Sequence, residues 1–388
     1  MISVSKMLGA GENYGDTLRY APETREQRSG AARGQGPVVV WNCTRTCNLR
    51  CRHCYTGSDG RKYEEMSTET ARAFIDDLAE FRTPVLLISG GEPLLREDLP
   101  ELIAYARAAG IRVTLSTNGV LITAAKAAAF RELGVSYVGI SLDGTEEVND
   151  VFRGKKGAFA AALAGLRNCL AAGQKVGLRF TINKNNYHCL DDIFDLAERE
   201  NIPRICFYHL VYSGRGSEMA AEDVSKEESR EALDTIIRRV EDLRGRGLEK
   251  EVLTVDNHAD AAYIYLHLLR RDAARAARAL ALLKTNGGNR SGVAIAQVDW
   301  EGNVHPDQFT PHCLGNVRER KFSEIWTDTA NPILAGLRNR RPLLRGRCAA
   351  CRWLDLCNGN FRARAEAGAG DFWASDPACY LTDEEVGA

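Results

Sequence analysis

From Pro37 onward, short β-branched or apolar runs alternate with longer helical patterns, the signature of βα units around a parallel sheet. The runs Val38–Asn42, Pro84–Ser89, Arg112–Ser116, Tyr137–Leu142, Lys175–Thr181 and Arg204–Leu210 read as strands. Helical periodicity fills the gaps near Thr68–Arg82, Leu99–Ala109, Ala124–Leu133, Ala158–Ala172 and Leu190–Glu200. Gly110, Gly134 and Gly173 each follow a helix, where a C-terminal cap calls for glycine. Six such repeats predict an α/β fold, a partial (β/α)6 barrel of TIM type; a doubly wound sheet shares the same periodicity. In either case the active residues belong at the carboxyl ends of the strands.

The rest of the chain divides by pattern. Residues 1–36 are polar and rich in Gly and Arg, and read as a partly ordered N-terminal arm ahead of a barrel at 37–215. Residues 216–290 read as a helical bridge, with an acidic, helix-forming segment at Ser225–Arg246, then Leu253–His258, then a strongly helical stretch at Ala259–Lys284. The segment 291–388 opens with a hairpin, Val293–Trp300 paired with Val304–His305 across Glu301-Gly302-Asn303.

Composition narrows the function. The 388 residues carry 51 basic and 52 acidic side chains, which argues against nucleic acid as the main partner. No apolar run reaches the ~18 residues a membrane span needs, and Met1–Ala10 lacks the pattern of a secretory signal. A cytoplasmic protein is expected, and in that compartment 12 cysteines point to metal or catalysis rather than disulfides. Arginine supplies most of the basic side chains; most are expected to be solvated surface, though their forked guanidinium groups suit carboxylates.

Directly after the first strand stand Cys47, Cys51 and Cys54, separated by three and two residues. A closed zinc site would need a fourth ligand. Three thiolates on one loop suit three corners of a [4Fe–4S] cube and leave one iron open to a chelating molecule. This spacing, followed by Tyr55, resembles the cluster motif of the radical S-adenosylmethionine (SAM) superfamily. The resemblance implies that Ser89-Gly90-Gly91-Glu92-Pro93 approaches the methionine end of SAM, with Gly90, Gly91 and Glu92 as cofactor-binding residues. It also makes Asn118, Ser141 and Asp143 candidates for the ribose and carboxylate. Arg179 is a lone charge on an apolar strand and needs a partner, for which a carboxylate of SAM or substrate is the natural choice. Cys43 reads as a packed thiol.

A second group, Cys348, Cys351, Cys357 and Cys379, could hold zinc or a second cluster on spacing alone. It resembles the SPASM or twitch auxiliary-cluster domain of radical SAM enzymes, which implies a second [4Fe–4S] cluster. Full SPASM domains carry further cysteines where Asp307 and Asn360 stand here, so one auxiliary cluster is expected, with Cys313 near enough in sequence to substitute as a ligand.

Further motifs in order, among them Tyr208-His209-Leu210, Asp256–Asp260, Gly287–Asn289, His305–Phe309 and Cys357–Asn360, resemble the NirJ type of heme d1 biosynthesis enzymes. That resemblance implies a 5′-deoxyadenosyl radical acting on the propionates of 12,18-didecarboxysiroheme, with flavodoxin or ferredoxin as electron donor. The alternatives are acetate decarboxylation of the same macrocycle to iron-coproporphyrin (the AhbC type), peptide maturation, or a non-enzymatic metal scaffold. A tetrapyrrole iron wants an axial ligand and its carboxylates want arginines, so His209, His258, His305, His312, Arg215 and Arg179 are candidates.

Overall fold

The computed structural model describes residues 1–13, 15–20 and 36–387. Among them runs one sheet of eleven strands: β1 (Ile2–Ser3), β2 (Val38–Asn42), β3 (Val85–Ser89), β4 (Arg112–Thr117), β5 (Tyr137–Ser141), β6 (Val176–Ile182), β7 (Arg204–His209), β8 (Glu251–Val255), β9 (Ile295–Val298), β10 (Asn303–His305) and β11 (Gly315–Asn316). β2 to β8 lie side by side in chain order and pair in parallel. The order never reverses within that run, so there is no switch point and the sheet is a partial barrel rather than doubly wound.

The six expected strands and the five helices between them are present, with ends displaced by a residue or two. Each helix buries one stripe against the sheet. The helix Thr68–Glu80 is capped by Ser67, whose Oγ accepts from Thr70 N at 3.2 Å, and it buries Phe74 edge-on to Trp41 of β2, with ring centroids 5.9 Å apart.

Three features differ from the sequence reading. The stretch 216–290 contributes β8 to the barrel, in register with β7 (Arg204 opposite Glu251). Its long helical stretch is two helices, Ala259–Leu269 and Ala273–Asn286, because Asp272 turns its carboxylate onto Arg275 N at 2.9 Å and starts a new helix. The beginning of the chain is docked: β1 pairs antiparallel with β8, and Ser3 N donates to Tyr20 Oη at 2.8 Å. Of the expected arm, residues 14 and 21–35 lie outside the described residues. At the other edge β9 pairs in parallel with β2 and antiparallel with β10, so the C-terminal hairpin extends the barrel sheet. No helix among the described residues is long and apolar enough to cross a membrane.

Candidate active site

The loop after β2 carries the first three thiols to the carboxyl end of the sheet. Cys47, Cys51 and Cys54 line one cavity of about 130 Å³ together with Gly90, Gly91, Asn118, Ser141 and Arg179. Leu49 N donates to Cys47 Sγ at 3.4 Å and Arg153 Nη1 to Cys51 Sγ at 3.6 Å, while Cys54 Sγ and Thr56 Oγ1 are 3.2 Å apart. Burial, the crowding of the three thiols and the nearby Glu92 carboxylate push Cys47 up to about 12, with only the Leu49 N–H opposing them. Thiolates so placed need cationic compensation, and a soft iron–sulfur group bound to three of them supplies it. The donor set therefore fits a cluster.

The glycine loop after β3 lies directly on the cysteine loop. Gly90 has φ +139°, and a Cβ there would stand 2.4 Å from Thr44 O; at Gly91 it would stand 2.3 Å from Thr46 O. Gly91 N and Glu92 N donate to those same carbonyls at 2.7 and 2.9 Å. Any side chain at either glycine would separate the two loops.

Glu92 and Asp143 do not line the cavity as the sequence suggested. Glu92 is buried, with Oε1 accepting from Leu94 N (3.1 Å) and Thr117 Oγ1 (2.7 Å), and Oε2 from Asn118 N (2.8 Å). It therefore holds the end of β4 against the glycine loop. Asn118 remains at the site, with Nδ2 2.7 Å from Asn48 Oδ1. Asp143 is buried, accepts from Thr181 N at 2.6 Å and pairs with Arg153, the donor to Cys51. Both carboxylates brace the walls of the site, and neither lines the cavity.

Arg179 lies where the thiol cavity meets a second one of about 460 Å³ inside the barrel, its guanidinium 4.6 Å from the centre of the Tyr208 ring. No carboxylate pairs with it among the described residues. Arg215 is not a free cation for substrate: Nε donates to Cys51 O and Nη2 to Ser58 O, both at 2.9 Å, clamping the cysteine loop. His209 lines the thiol cavity and His258 the second. His305 and His312 line neither: His305 Nδ1 lies 3.1 Å from His312 O, and His312 Nε2 lies 2.9 Å from Glu366 Oε1.

The sequence reading passed over Arg153, His53 and Phe309. His53 stacks on Phe152, with centroids 4.6 Å apart and planes 8° apart, and lines the thiol cavity. Phe309 lines both cavities and meets Tyr55 edge-on at 5.1 Å. For His53 a signal existed, its place inside the cysteine motif; Arg153 and Phe309 reach the site only through the fold.

In the C-terminal segment Cys348, Cys351, Cys357 and Cys379 gather. Burial pushes Cys357 well up, and the neighbouring Cys379, Cys348 and Cys351 raise it further. Arg347 Nη1 donates to Cys379 Sγ at 3.8 Å. Four such donors fit a second cluster with a full protein ligand set. Cys313 stands apart, exposed on the hairpin with Sγ 3.5 Å from Gly315 O. Asp307 and Asn360 are tied into turns: Asp307 Oδ1 accepts from Phe309 N and Thr310 N at 2.8 Å, and Asn360 Oδ1 from His258 N at 2.7 Å. Among the described residues no three His, Cys, Asp or Glu side chains are drawn together tightly enough for a single ion. Anaerobically reconstituted protein should carry about eight iron per chain; about four iron with one zinc, by elemental analysis, would overturn the assignment of the second site.

These features define an iron–sulfur enzyme of the radical SAM class. Residues 41–197 match the model of the radical SAM superfamily, and residues 292–352 match SPASM, described as an iron-sulfur cluster-binding domain. The chain belongs to this superfamily, and its cofactors are SAM and two iron–sulfur clusters. It is 56% identical to the Fe-coproporphyrin III synthase of Methanosarcina barkeri, over 100% of this chain and 99% of the relative. It is 45% identical to the pre-heme d1 synthase of Dinoroseobacter shibae, over 90% and 88% of the two chains. Among solved structures it resembles Streptococcus suis SuiB bound to S-adenosylmethionine, with a TM-score of 0.71 at 15% identity, covering 90% of this chain and 78% of that one.

Proposed function

We propose that the protein is a radical SAM enzyme of heme biosynthesis that removes the acetate side chains from 12,18-didecarboxysiroheme to give iron-coproporphyrin III. The observation that carries this reading is the 56% identity to an Fe-coproporphyrin III synthase along the whole chain. Pre-heme d1 synthesis, acting on the propionates instead, is the second reading; it is favoured by Asn360, which stands where the acetate-removing type is expected to keep a cysteine. We place the radical SAM unit at 37–215, a bridge at 216–290 and the SPASM-like unit at 291–388, in a cytoplasmic protein reduced by flavodoxin or ferredoxin.

When bound at the first cluster, SAM supplies a 5′-deoxyadenosyl radical. Cys47, Cys51 and Cys54 hold that cluster, and Cys348, Cys351, Cys357 and Cys379 the second. The glycine loop, Asn118 and Ser141 receive SAM. Arg179, between the two cavities, pairs with a carboxylate of SAM or substrate. Tyr208 and Phe309 offer aromatic faces to a flat macrocycle and keep water from the radical.

Anaerobic incubation with SAM, reductant and 12,18-didecarboxysiroheme, followed by product mass, tests the reading. Loss of each acetate side chain as a whole two-carbon unit is expected. Altered propionates with intact acetates would move the assignment to pre-heme d1 synthesis, and an unchanged tetrapyrrole would sink both.

A further inference from the structure

Seven histidines occur in the chain, and of them only His53 and His209 line the thiol cavity. His53 is stacked flat on Phe152 inside the cysteine loop, and no carboxylate among the described residues pairs with it. His209 is different. It ends β7 and is only 6% exposed, with Nε2 3.0 Å from Asp260 Oδ2. Asp260 is 0% exposed, and its other oxygen accepts from Tyr380 Oη at 2.6 Å.

A buried carboxylate opposite Nε2 fixes the tautomer. The proton sits on Nε2, and the lone pair is left on Nδ1. Nδ1 has no hydrogen-bond partner among the described residues. A metal-ligating histidine characteristically donates its other ring N–H to a carboxylate, which orients the ring and strengthens it as a donor. Burial acts to raise the Asp260 carboxyl, yet the electrostatic attraction of the His209 ring and the hydrogen bonds from His209, Tyr380 and Thr254 outweigh it and leave the group below its ordinary value, an ionised acceptor.

We propose that His209, through Nδ1, is the axial ligand to the iron of the tetrapyrrole substrate, with Asp260 and Tyr380 holding it in place; this rests on the tetrapyrrole reading above. The surrounding wall suits such a ligand. Tyr208 and Phe309 present rings to the same cavity, and Arg179 is at hand for a peripheral carboxylate. The other candidates lack this arrangement: His258 lines the second cavity and has Nε2 3.3 Å from the amino group of Met1 rather than against a carboxylate, and both ring nitrogens of His305 face protein oxygens, Nε2 at 3.7 Å from Asp299 Oδ2.

The arrangement also reaches toward the second cluster, since Tyr380 directly follows Cys379. One hydrogen-bonded line therefore joins the substrate cavity to the segment that supplies that cluster's last ligand. Asp260 and Tyr380 are positioning residues in this scheme; His209 alone touches the substrate.

Ferric coproporphyrin III titrated into the cluster-loaded protein tests the proposal by absorption and EPR. The wild-type complex should show the spectrum of a histidine-ligated ferric tetrapyrrole. His209→Gln, whose amide still donates to Asp260, should lose that spectrum, and added imidazole should restore it. Asp260→Asn should keep the ligation but weaken binding by about tenfold, through loss of the anionic partner. An unchanged spectrum in His209→Gln that still binds the tetrapyrrole would overturn the axial assignment and leave the proposed function standing. Wild-type protein that fails to bind ferric coproporphyrin III would overturn both. A far-ultraviolet dichroism match between the Gln variant and wild type separates lost ligation from lost folding.

Discussion

Replacing Cys51 by Ala should abolish 5′-deoxyadenosine formation and lower bound iron to about four per chain, the content of the second cluster alone. Cys51 is buried, and its thiol accepts from Arg153, whose guanidinium is paired with the buried Asp143. On the proposed assignment, removing the sulfur takes one of three ligands from the cluster, and among the described residues Arg215 and the Ser89–Glu92 loop, which hold the segment through its backbone, offer no replacement. The contrast is Cys43→Ala. That thiol is also fully buried, but it packs in the core. Its removal should cost about 1 kcal/mol of stability and leave iron and 5′-deoxyadenosine untouched. Iron analysis and product chromatography on the two variants decide the matter; a Cys51→Ala protein that keeps the full iron content and cleaves SAM would refute the first-cluster assignment.

The largest expected effect on stability is at Arg364. Arg364→Leu should cost about 3–5 kcal/mol, read as a shift in the denaturant midpoint. Both partners of the Arg364–Asp376 pair are 0% exposed, joined at 2.8 Å (Nε to Oδ1) and 2.9 Å (Nη2 to Oδ2). The arginine also donates to Leu210 O and Asp256 O, each at 2.8 Å, just past the ends of β7 and β8. Asp376 in turn accepts from Phe361 N and Ala378 N, both at 3.0 Å. The pair thus fastens the segment bearing Cys357 and Cys379 to the mouth of the barrel. Losing the arginine leaves a carboxylate buried without its cation, which costs far more than the ~1 kcal/mol of an exposed ion pair. Replacing both residues by Leu should recover part of the loss. A shift near 1 kcal/mol for the single variant would mean that water reaches the pair.

What could be read from the chain alone was local. The strand and helix periods of 38–210, the caps, and the two cysteine groups with their loops follow from short-range sequence, because periodicity and ligand spacing act within a few residues. The prior choice between a barrel and a doubly wound sheet was open to that reading, since both repeat the same βα unit. Only the pairing order settled it, with β8 and β9 completing the two sides from distant parts of the chain.

The same division runs through the site. The cysteines, Gly90, Gly91 and Asn118 stand where their spacing put them, because each is carried by the loop that its own strand delivers. Glu92, Asp143 and Arg215 look equally functional in sequence, yet they face inward to Thr117, Arg153 and the Cys51 carbonyl. A charged side chain takes its role from whatever partner the fold brings within hydrogen-bond reach. For Arg215 and Cys51 that partner is 164 residues away along the chain. The two cysteine groups were therefore legible in the sequence; which polar residues line the cavities and which hold the walls, with His209 set against Asp260 and Tyr380, was decided only by tertiary packing, because desolvation forces each buried charge onto the nearest complementary atom.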